Sequence, residues 1–197
     1  MNIIHYSHDH YSYESLQMGR HDTHIIRSMA FGMAGLSVVA DSLSDIREAK
    51  VYCVRDEQGI ASDFRIEGEF PRYGNAIDCV DNLACWVVSK FMNLHREHKT
   101  YRKAEHSQSI LPITSNVVYG KNTWSTPDGR KRGEPFSPGA SPTHVADSTG
   151  ALNSLSSVAK LPYKDAADGI SNTFSITASA LGKTHDERIS TLVSLID

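Results

Sequence analysis

The chain has 197 residues, a formal net charge of −3 and 40% hydrophobic residues. This composition is ordinary for one globular domain or for a piece of a larger one. It gives no electrostatic reason to expect a nucleic acid or an anionic membrane as a partner. No apolar run approaches the roughly 20 residues of a membrane-spanning helix, and the N-terminus lacks a signal-peptide pattern.

The three cysteines, Cys53, Cys79 and Cys85, are neither adjacent nor spaced like metal ligands. In a chain without a secretion signal, this pattern predicts free thiols and a reducing cytoplasm.

Residues 2–18 are predicted to form a helix rich in aromatic residues and histidine. His5, His8 and Asp9 are spaced so that they could share one helix face. They could bind a metal, but polar positions at a helix–helix interface are the favoured interpretation, because carboxylates or other groups that would hydrogen-bond the ligating rings are not evident. The same alternatives apply to His21 and His24.

Residues 25–50 show the strongest helical periodicity. Apolar residues recur at steps of three and four: Ile25, Ile26, Met29, Met33, Leu36, Val39, Leu43 and Ile46. Charge is nearly absent from Ser28 to Ala40, so this helix should be buried on most sides, against a surface larger than this chain offers.

The next elements are a hairpin and a second helix. The turn Asp56–Gly59 separates strands predicted near 51–55 and 61–67. Residues 78–98 have an amphipathic helical pattern, with His95 and His98 predicted as surface residues that suit the C-terminal end of the helix dipole.

The stretch from Leu111 to Pro135 organises the remainder of the chain. Residues 113–118 read as a buried, β-branched strand that leads into a long loop. In that loop, Thr126-Pro127-Asp128-Gly129 is predicted to form a turn, with Gly129 at positive φ. A strand that leads into a loop rich in Gly and Pro is a common position for a functional site.

Three elements follow this loop. A helix is predicted over 151–159, a strand over 169–177 and a helix over 184–197. Thr184 and Glu187 have the spacing of a capping box at the start of the last helix.

Ordered sequence motifs then point to a family. They are TSNVVYGK (114–121), TPDGR (126–130), PFSPGA (135–140), SSVAKLP (156–162) and DGISNTFSI (168–176), preceded by similar pieces from Asn2 onwards. In these motifs the chain resembles the pyruvate formate-lyase family of glycyl radical enzymes. The resemblance implies an α/β fold that is an incomplete part of a ten-stranded barrel with surrounding helices. By this resemblance, residues 112–118 and 170–177 are expected to be strands of the barrel. Residues 25–48 and 78–98 are expected to be helices outside it.

The resemblance also implies what the chain lacks. The family stores its radical on a glycine in an RVSGYAV-like motif and uses two adjacent cysteines, and neither feature occurs in this sequence. Residues 1–197 are therefore expected to be a single partial domain, an internal segment of the catalytic barrel, with no catalytic residue, bound metal or bound cofactor. In the complete enzyme, the resemblance implies pyruvate and coenzyme A as substrates, a glycyl radical installed by an S-adenosylmethionine-dependent activase, and a homodimer.

Three positions carry a family role by resemblance. His21 matches a histidine on the coenzyme A side of the site, although a capping or surface histidine is an equal alternative. Leu111 and Ile113 match the apolar wall of the pyruvate pocket, with a simple core role as the alternative. Pro112 departs from the family pattern and raises the question of how the strand keeps its hydrogen bonds.

Asp128, Gly129 and Arg130 are predicted to structure the loop, with Arg130 bonding carbonyls or a carboxylate. Phosphate binding by Arg130 to Arg132 is the weaker alternative, because no phosphate-binding loop precedes a helix.

Two functions from different classes remain open at this point. The chain is either a segment of the enzyme that converts pyruvate and coenzyme A to acetyl-coenzyme A and formate, or a non-catalytic scaffold fragment that acts only by docking to the missing parts. Coding sequence on either side for the paired cysteines and the radical motif would favour the first.

Overall fold

A computed structural model describes residues 2–13 and 26–196 of the chain. The α-helices in these residues are α1 (Asn2–His8), α2 (Leu36–Glu48), α3 (Asp78–Arg96), α4 (Ser115–Lys121), α5 (Ala151–Ala159) and α6 (His185–Ile196). The strands are β1 (Ser28–Gly32), β2 (Lys50–Arg55), β3 (Ala61–Glu67), β4 (Glu105–Ile110) and β5 (Gly169–Ile170).

The strands form two separate sheets. β1, β4 and β5 make a parallel sheet in that order, with β4 in the centre, and β2 and β3 form an antiparallel hairpin. Because a parallel pair needs a long crossover connection, the whole of α2, the hairpin and α3 lies between β1 and β4 along the chain.

The hydrophobic core lies around α2 and α3, which pack against each other, while α3 also contacts β4. Tyr73, Val80, Val88 and Ile110 are completely buried in it. The core therefore joins the first half of the chain to α5 and β5, since Val158 of α5 and Ile170 of β5 pack against the same cluster.

The predicted helix over residues 25–50 is wrong in its first part. Residues 28–32 form β1, and the helix begins only at Leu36, after Gly35 with φ of 81°. The spacing of Met29 and Phe31 fits the alternation of a strand as well as the period of a helix. The parallel pairing of β1 with β4 decides in favour of the strand. A pairing partner more than 70 residues away is invisible to a local periodicity.

The predicted strand over 112–118 is also wrong. The central strand β4 ends at Ile110, and residues 115–121 form α4, with Val117 and Val118 more than half exposed. Pro112 has no N–H to continue the ladder, and the chain turns there into a helix despite its β-branched residues.

The predicted strand over 169–177 is shorter than expected. Only Gly169 and Ile170 pair with β4, after which the chain meets the loop that follows Pro135. Ser171 accepts a hydrogen bond from Ala140, and Gly139 forms an isolated bridge with Asn172.

The N-terminal helix is confirmed over Asn2–His8, and it continues as a π-helical segment, Asp9–Tyr13. The rest of the predicted span, 14–18, lies outside the described residues.

Local sequence signals succeed elsewhere. The hairpin, α3 and α5 lie within a few residues of their predicted bounds. The capping box before α6 is formed: the Glu187 carboxylate accepts the N–H of Thr184, and the Thr184 hydroxyl accepts the N–H of Glu187. The TPDG turn is also formed, with Gly129 at φ of 96°.

The fold is α/β, and the three-stranded parallel sheet does not close into a barrel within residues 2–13 and 26–196. None of the helices in this part of the chain is long and apolar enough to cross a membrane.

Candidate functional site

The carboxyl edge of the parallel sheet is the first candidate position, because ligands of open α/β sheets bind there. Leu111 and Ile113 directly follow β4 at this edge and are 40% and 56% exposed. Leu111 covers Gly169: a Cβ atom added to Gly169 would lie 3.4 Å from the Cδ2 atom of Leu111. The two side chains are therefore apolar, adjacent to strand ends and largely uncovered in this chain.

Pro112, between them, costs the sheet nothing. The strand has already ended at Ile110, and the Pro112 carbonyl accepts a hydrogen bond of 2.8 Å from the N–H of Gly139. This bond ties the edge of the sheet to the loop that follows Pro135.

A second region, which we call the framework, lies beside this edge. It consists of α2 and three loop segments, residues 71–76, 126–130 and 141–149. Buried polar side chains join these four pieces, which come from distant parts of the sequence.

Asp128 holds the turn of the framework against α2. Its carboxylate is 2% exposed and accepts the Thr126 hydroxyl at 2.5 Å and the Ser42 hydroxyl at 3.4 Å. Its backbone carbonyl accepts a hydrogen bond from Arg72 at 3.2 Å. These contacts are those that a loop-structuring role would require.

Arg130 lies inside the loop and is 5% exposed. Its guanidinium donates to the carbonyls of Lys131, Glu134, Thr123 and Trp124. Its burial lowers the pKa of this guanidinium, and the Phe136 ring covers it at 4.9 Å. Its two terminal nitrogen atoms therefore donate to carbonyls of the loop, while its Nε atom is buried without a protein partner.

The two neighbouring cations are also engaged. Lys131 pairs with Asp63 of the hairpin at 2.8 Å, and Arg132 lies 3.9 Å above the Trp124 ring. A phosphate would have to displace these contacts, so the geometry gives no support to the phosphate-binding alternative for residues 130–132.

Asp41 of α2 is a junction of the framework. It is fully buried and accepts the N–H of Tyr73 at 2.7 Å and the hydroxyl of Thr143 at 3.0 Å. Burial raises the pKa of Asp41 to about 7, against the hydrogen bonds from Tyr73 and Thr143 and the charge of Arg72, which lower it, and the charge of Asp128 adds to the rise. Burial also raises the pKa of Asp45, one helical turn further on, and neither of its carboxylate oxygens has a protein partner.

Asn75 organises the last framework loop. Its amide donates to the carbonyls of Arg72 and Ala146, and its oxygen accepts the N–H groups of Ser148 and Thr149. Gly74 lets the loop approach, because a Cβ there would collide with the ring of Pro142.

Two cavities border the framework. One of about 440 Å³ is lined by Arg72, Asp128, Arg130 and His144, among others. The other, of about 630 Å³, lies between the 135–147 segment and residues 173–175. Thr143 and His144 border both cavities.

His95 is not the surface residue that the sequence suggests. Its ring stacks on Phe31 at 4.0 Å, meets Phe91 edge-on at 4.3 Å, and its Nε2 atom is buried without a partner. Burial lowers the pKa of His95, as do the neighbouring His106 and His98.

The histidines near the N-terminus do not assemble a metal site in the described residues. Asp9 instead pairs with Arg102 at 2.9 Å and with Arg27 at 3.3 Å. His21 and His24 lie outside the described residues, so the position of His21 relative to the site stays a prediction.

Sequence reasoning missed Asp41 and Asn75. A signal for Asp41 was present, since Asp41 and Asp45 are acidic residues four apart on the helix whose start is almost uncharged. No local signal marked Asn75, because its partners in the loop 141–149 come from more than 70 positions away.

Comparisons with known proteins show the family of the chain. The family model described as pyruvate formate lyase-like matches residues 1–120, and the one described as glycine radical matches residues 136–197. Formate acetyltransferase 1 of Escherichia coli is 57% identical over all of this chain, which spans 26% of that protein's length.

Solved structures place the fold in the same class. The B12-independent glycerol dehydratase of Clostridium butyricum matches 86% of the chain with a TM-score of 0.67 and 27% identity, and the chain covers 23% of it. A glycyl radical enzyme of Archaeoglobus fulgidus matches the same share with a TM-score of 0.66 and 24% identity, the chain covering 23% of it.

The fold is thus part of that of a glycyl radical enzyme. The chain belongs to the pyruvate formate lyase-like family. It spans about a quarter of the length of the relatives that it matches.

Proposed function

We propose that the chain is a segment of a formate acetyltransferase. The observation that carries the proposal is its 57% identity to Escherichia coli formate acetyltransferase 1 along its whole length. The glycerol dehydratase structure is only 27% identical, which favours the acetyltransferase over a diol dehydratase as the activity of the complete enzyme.

The complete enzyme would convert pyruvate and coenzyme A to acetyl-coenzyme A and formate by glycyl and thiyl radical chemistry. An S-adenosylmethionine-dependent activase would install the radical, and the enzyme would act as a cytoplasmic homodimer. This chain's 197 residues contain neither adjacent cysteines nor an RVSGYAV-like motif. Its own part would be structural, as a single partial domain that needs the remainder of the enzyme.

Leu111 and Ile113 would form part of the wall of the pyruvate pocket. Their position at the carboxyl edge of the sheet and their exposed apolar side chains support this role. A dry wall would exclude water from the radical intermediates and receive the methyl group of pyruvate. His21 would contribute on the coenzyme A side, where an imidazole can hydrogen-bond or relay a proton beside a thiol.

Asp128, Gly129 and Arg130 would keep the adjacent loop in the shape that this wall requires. The support is the set of hydrogen bonds that the two charged side chains make inside the loop.

A segment exchange tests the proposal. This chain would replace the equivalent segment of Escherichia coli formate acetyltransferase 1, and formate would be measured after activation under anoxia. We expect formate production within about tenfold of the parent enzyme. An inactive but folded and radical-bearing chimera would instead favour a non-catalytic scaffold fragment.

Single changes in the chimera test the pocket wall. Ile113→Ser should raise KM for pyruvate and lower kcat, because it wets the wall. The matched control is Val118→Ser, which changes a similarly exposed β-branched residue on α4. Equal effects of the two changes would contradict a pocket role for Ile113.

The isolated chain should make no formate from pyruvate and coenzyme A, even with a competent activase. Covalent catalysis needs a positioned nucleophile, and Cys53, Cys79 and Cys85 lie on the hairpin and α3 rather than at the sheet edge. If the isolated chain made formate above background, and changing one of these cysteines to Ser abolished it, the chain would not have a purely structural role.

A further inference from the structure

The loop 141–149 begins at Ser141, which is buried, donates to the Asn172 side chain at 3.0 Å and accepts the N–H of Thr173 at 3.0 Å. Beyond Ser141, the loop has one buried anchor on each side of its tip. On the first side, the Thr143 hydroxyl donates to Asp41 at 3.0 Å. On the second, Asn75 donates to the Ala146 carbonyl at 2.8 Å and accepts the N–H of Ser148 at 2.9 Å. The first anchor contains an ionisable group and the second does not.

The tip between the anchors is strained. Val145 has φ of 66°, a left-handed conformation that a β-branched residue adopts only under constraint. Its side chain is 79% exposed, so its own packing does not impose this conformation. The turn bond from the Ala146 N–H to the Thr143 carbonyl, 2.8 Å long, and the anchors on either side hold this conformation. Releasing an anchor therefore removes part of the constraint on Val145.

The environment of Asp41 disfavours its charge. The carboxyl group is fully buried, and Asp45 lies one helical turn away on the same helix. Three ionisable groups interact with Asp41: Arg72 and the Tyr73 phenol on the 71–76 segment, and Asp128 on the turn. The loop itself also contains the ionisable residues His144 and Asp147. The hydrogen bonds from Tyr73 and Thr143 and the cation of Arg72 favour the charged form of Asp41, but burial outweighs all three and raises the pKa of Asp41 to about 7.

A protonated Asp41 keeps both of its contacts. Its unprotonated oxygen accepts the N–H of Tyr73, and the hydroxyl of the acid donates to the Thr143 oxygen, which reverses the direction of that bond. An ionised Asp41 can keep the same partners only if its charge stays buried, which carries a desolvation penalty. Opening the Thr143 end of the loop would hydrate that charge.

We propose that ionisation of Asp41 releases the Thr143 end of the loop 141–149, so that this loop is a pH-responsive cover. Residues 141–145 and 147 line the cavity of about 630 Å³, so release of the loop changes access to that cavity. The device does not depend on the reaction that the complete enzyme performs.

The direction follows from proton linkage. The pKa of Asp41 is raised in the closed loop to about 7, from the ordinary value of 3.8 that an open and hydrated carboxyl group would regain. The closed loop is therefore fully favoured below about pH 4. Between about pH 4 and pH 7, the equilibrium constant for opening the loop rises by at most about tenfold per pH unit. Above about pH 7, this constant no longer changes with pH.

Hydrogen exchange measured by mass spectrometry tests this on the 197-residue chain. Peptides covering 141–149 would be followed from pH 5 to pH 8 and corrected for the intrinsic exchange rate. We expect protection to fall up to about pH 7 and then to level off. Asp41→Asn should make protection independent of pH, because its amide donates to Thr143 and its oxygen still accepts from Tyr73.

Two further measurements keep the test decisive. Thr143→Val removes the hydroxyl at similar volume and should leave the loop open at every pH. The carboxyl carbon of Asp41, followed by nuclear magnetic resonance in the unmodified chain, should titrate between pH 6 and 8. A titration midpoint below pH 5, or the same pH profile in the unmodified chain and Asp41→Asn, would overturn the proposal.

Discussion

The framework and the C-terminal helix α6 use the same kinds of hydrogen bond in opposite settings. In the framework, Asp128, Arg130 and Asn75 are at least nine-tenths buried and join segments far apart in the chain. At α6, the exposed side chains of Thr184 and Glu187 accept each other's backbone N–H groups, and Glu187 also accepts the N–H of Lys183, so these bonds are all local. The main contact of α6 in the described chain is the neighbouring segment Ala178–Leu181.

The difference lies in what remains when a bond is lost. A buried group that loses its partner keeps its desolvation penalty, whereas an exposed group turns to water. The framework should therefore respond strongly to single substitutions, and α6 should respond weakly and locally.

The largest effect is expected for Arg130→Met. This change leaves several loop carbonyls without a donor in a buried position, and should lower the free energy of unfolding by about 3–5 kcal/mol. Urea unfolding followed by tryptophan fluorescence measures it. The control is Arg132→Met. The Arg132 cation lies over the Trp124 ring, and its removal should lower the free energy of unfolding by no more than about 1 kcal/mol.

Asn75→Ala should come next, with a loss of about 2–4 kcal/mol, because it removes both the donor and the acceptor that shape the loop 141–149. Asn153→Ala is the matched control, since the Asn153 side chain is only partly buried and bonds the Thr149 carbonyl one turn back. A difference in unfolding free energy below about 1 kcal/mol between the two variants would show that the framework does not depend on Asn75.

A smaller effect, conditional on pH, is expected at His95. Its pKa is lowered in the folded chain, so its contribution to stability is present above the unfolded pKa of 6.5 and is lost as the pH falls below it. His95→Phe keeps the ring against Phe31 and removes the titration. It should narrow the difference in denaturation midpoint between pH 7.5 and pH 5. His98→Gln should narrow that difference much less, because His98 is a smaller cause of the lowered pKa of His95 than burial is.

The smallest effect is expected for Thr184→Ala at the start of α6. The loss of the cap should weaken this helix by about 1 kcal/mol, visible as reduced helical circular dichroism. The unfolding midpoint reported by the core should not change, because α6 does not contribute to the buried cluster. A matching shift of the core midpoint would mean that α6 is coupled to the framework.

Local chemistry was enough to predict several elements from the sequence. The Asp56–Gly59 turn fixes the hairpin, the periodic apolar residues fix α3, and the Thr184–Glu187 pair fixes the start of α6. Each of these signals lies within about one element, so neighbouring residues contain all of the information. The ordered motifs also identified the family correctly, because they depend on residue identity rather than on structure.

Only the tertiary structure decided the rest. Residues 28–32 became β1 because β4 offers a parallel partner, and residues 115–121 became α4 because β4 ends before Pro112. The junctions at Asp41 and Asn75 depend in the same way on partners 32 to 102 positions away. Burial determines whether such a polar residue is a solvated side chain or a junction of the fold, and burial is set by packing between distant segments, which no local pattern records.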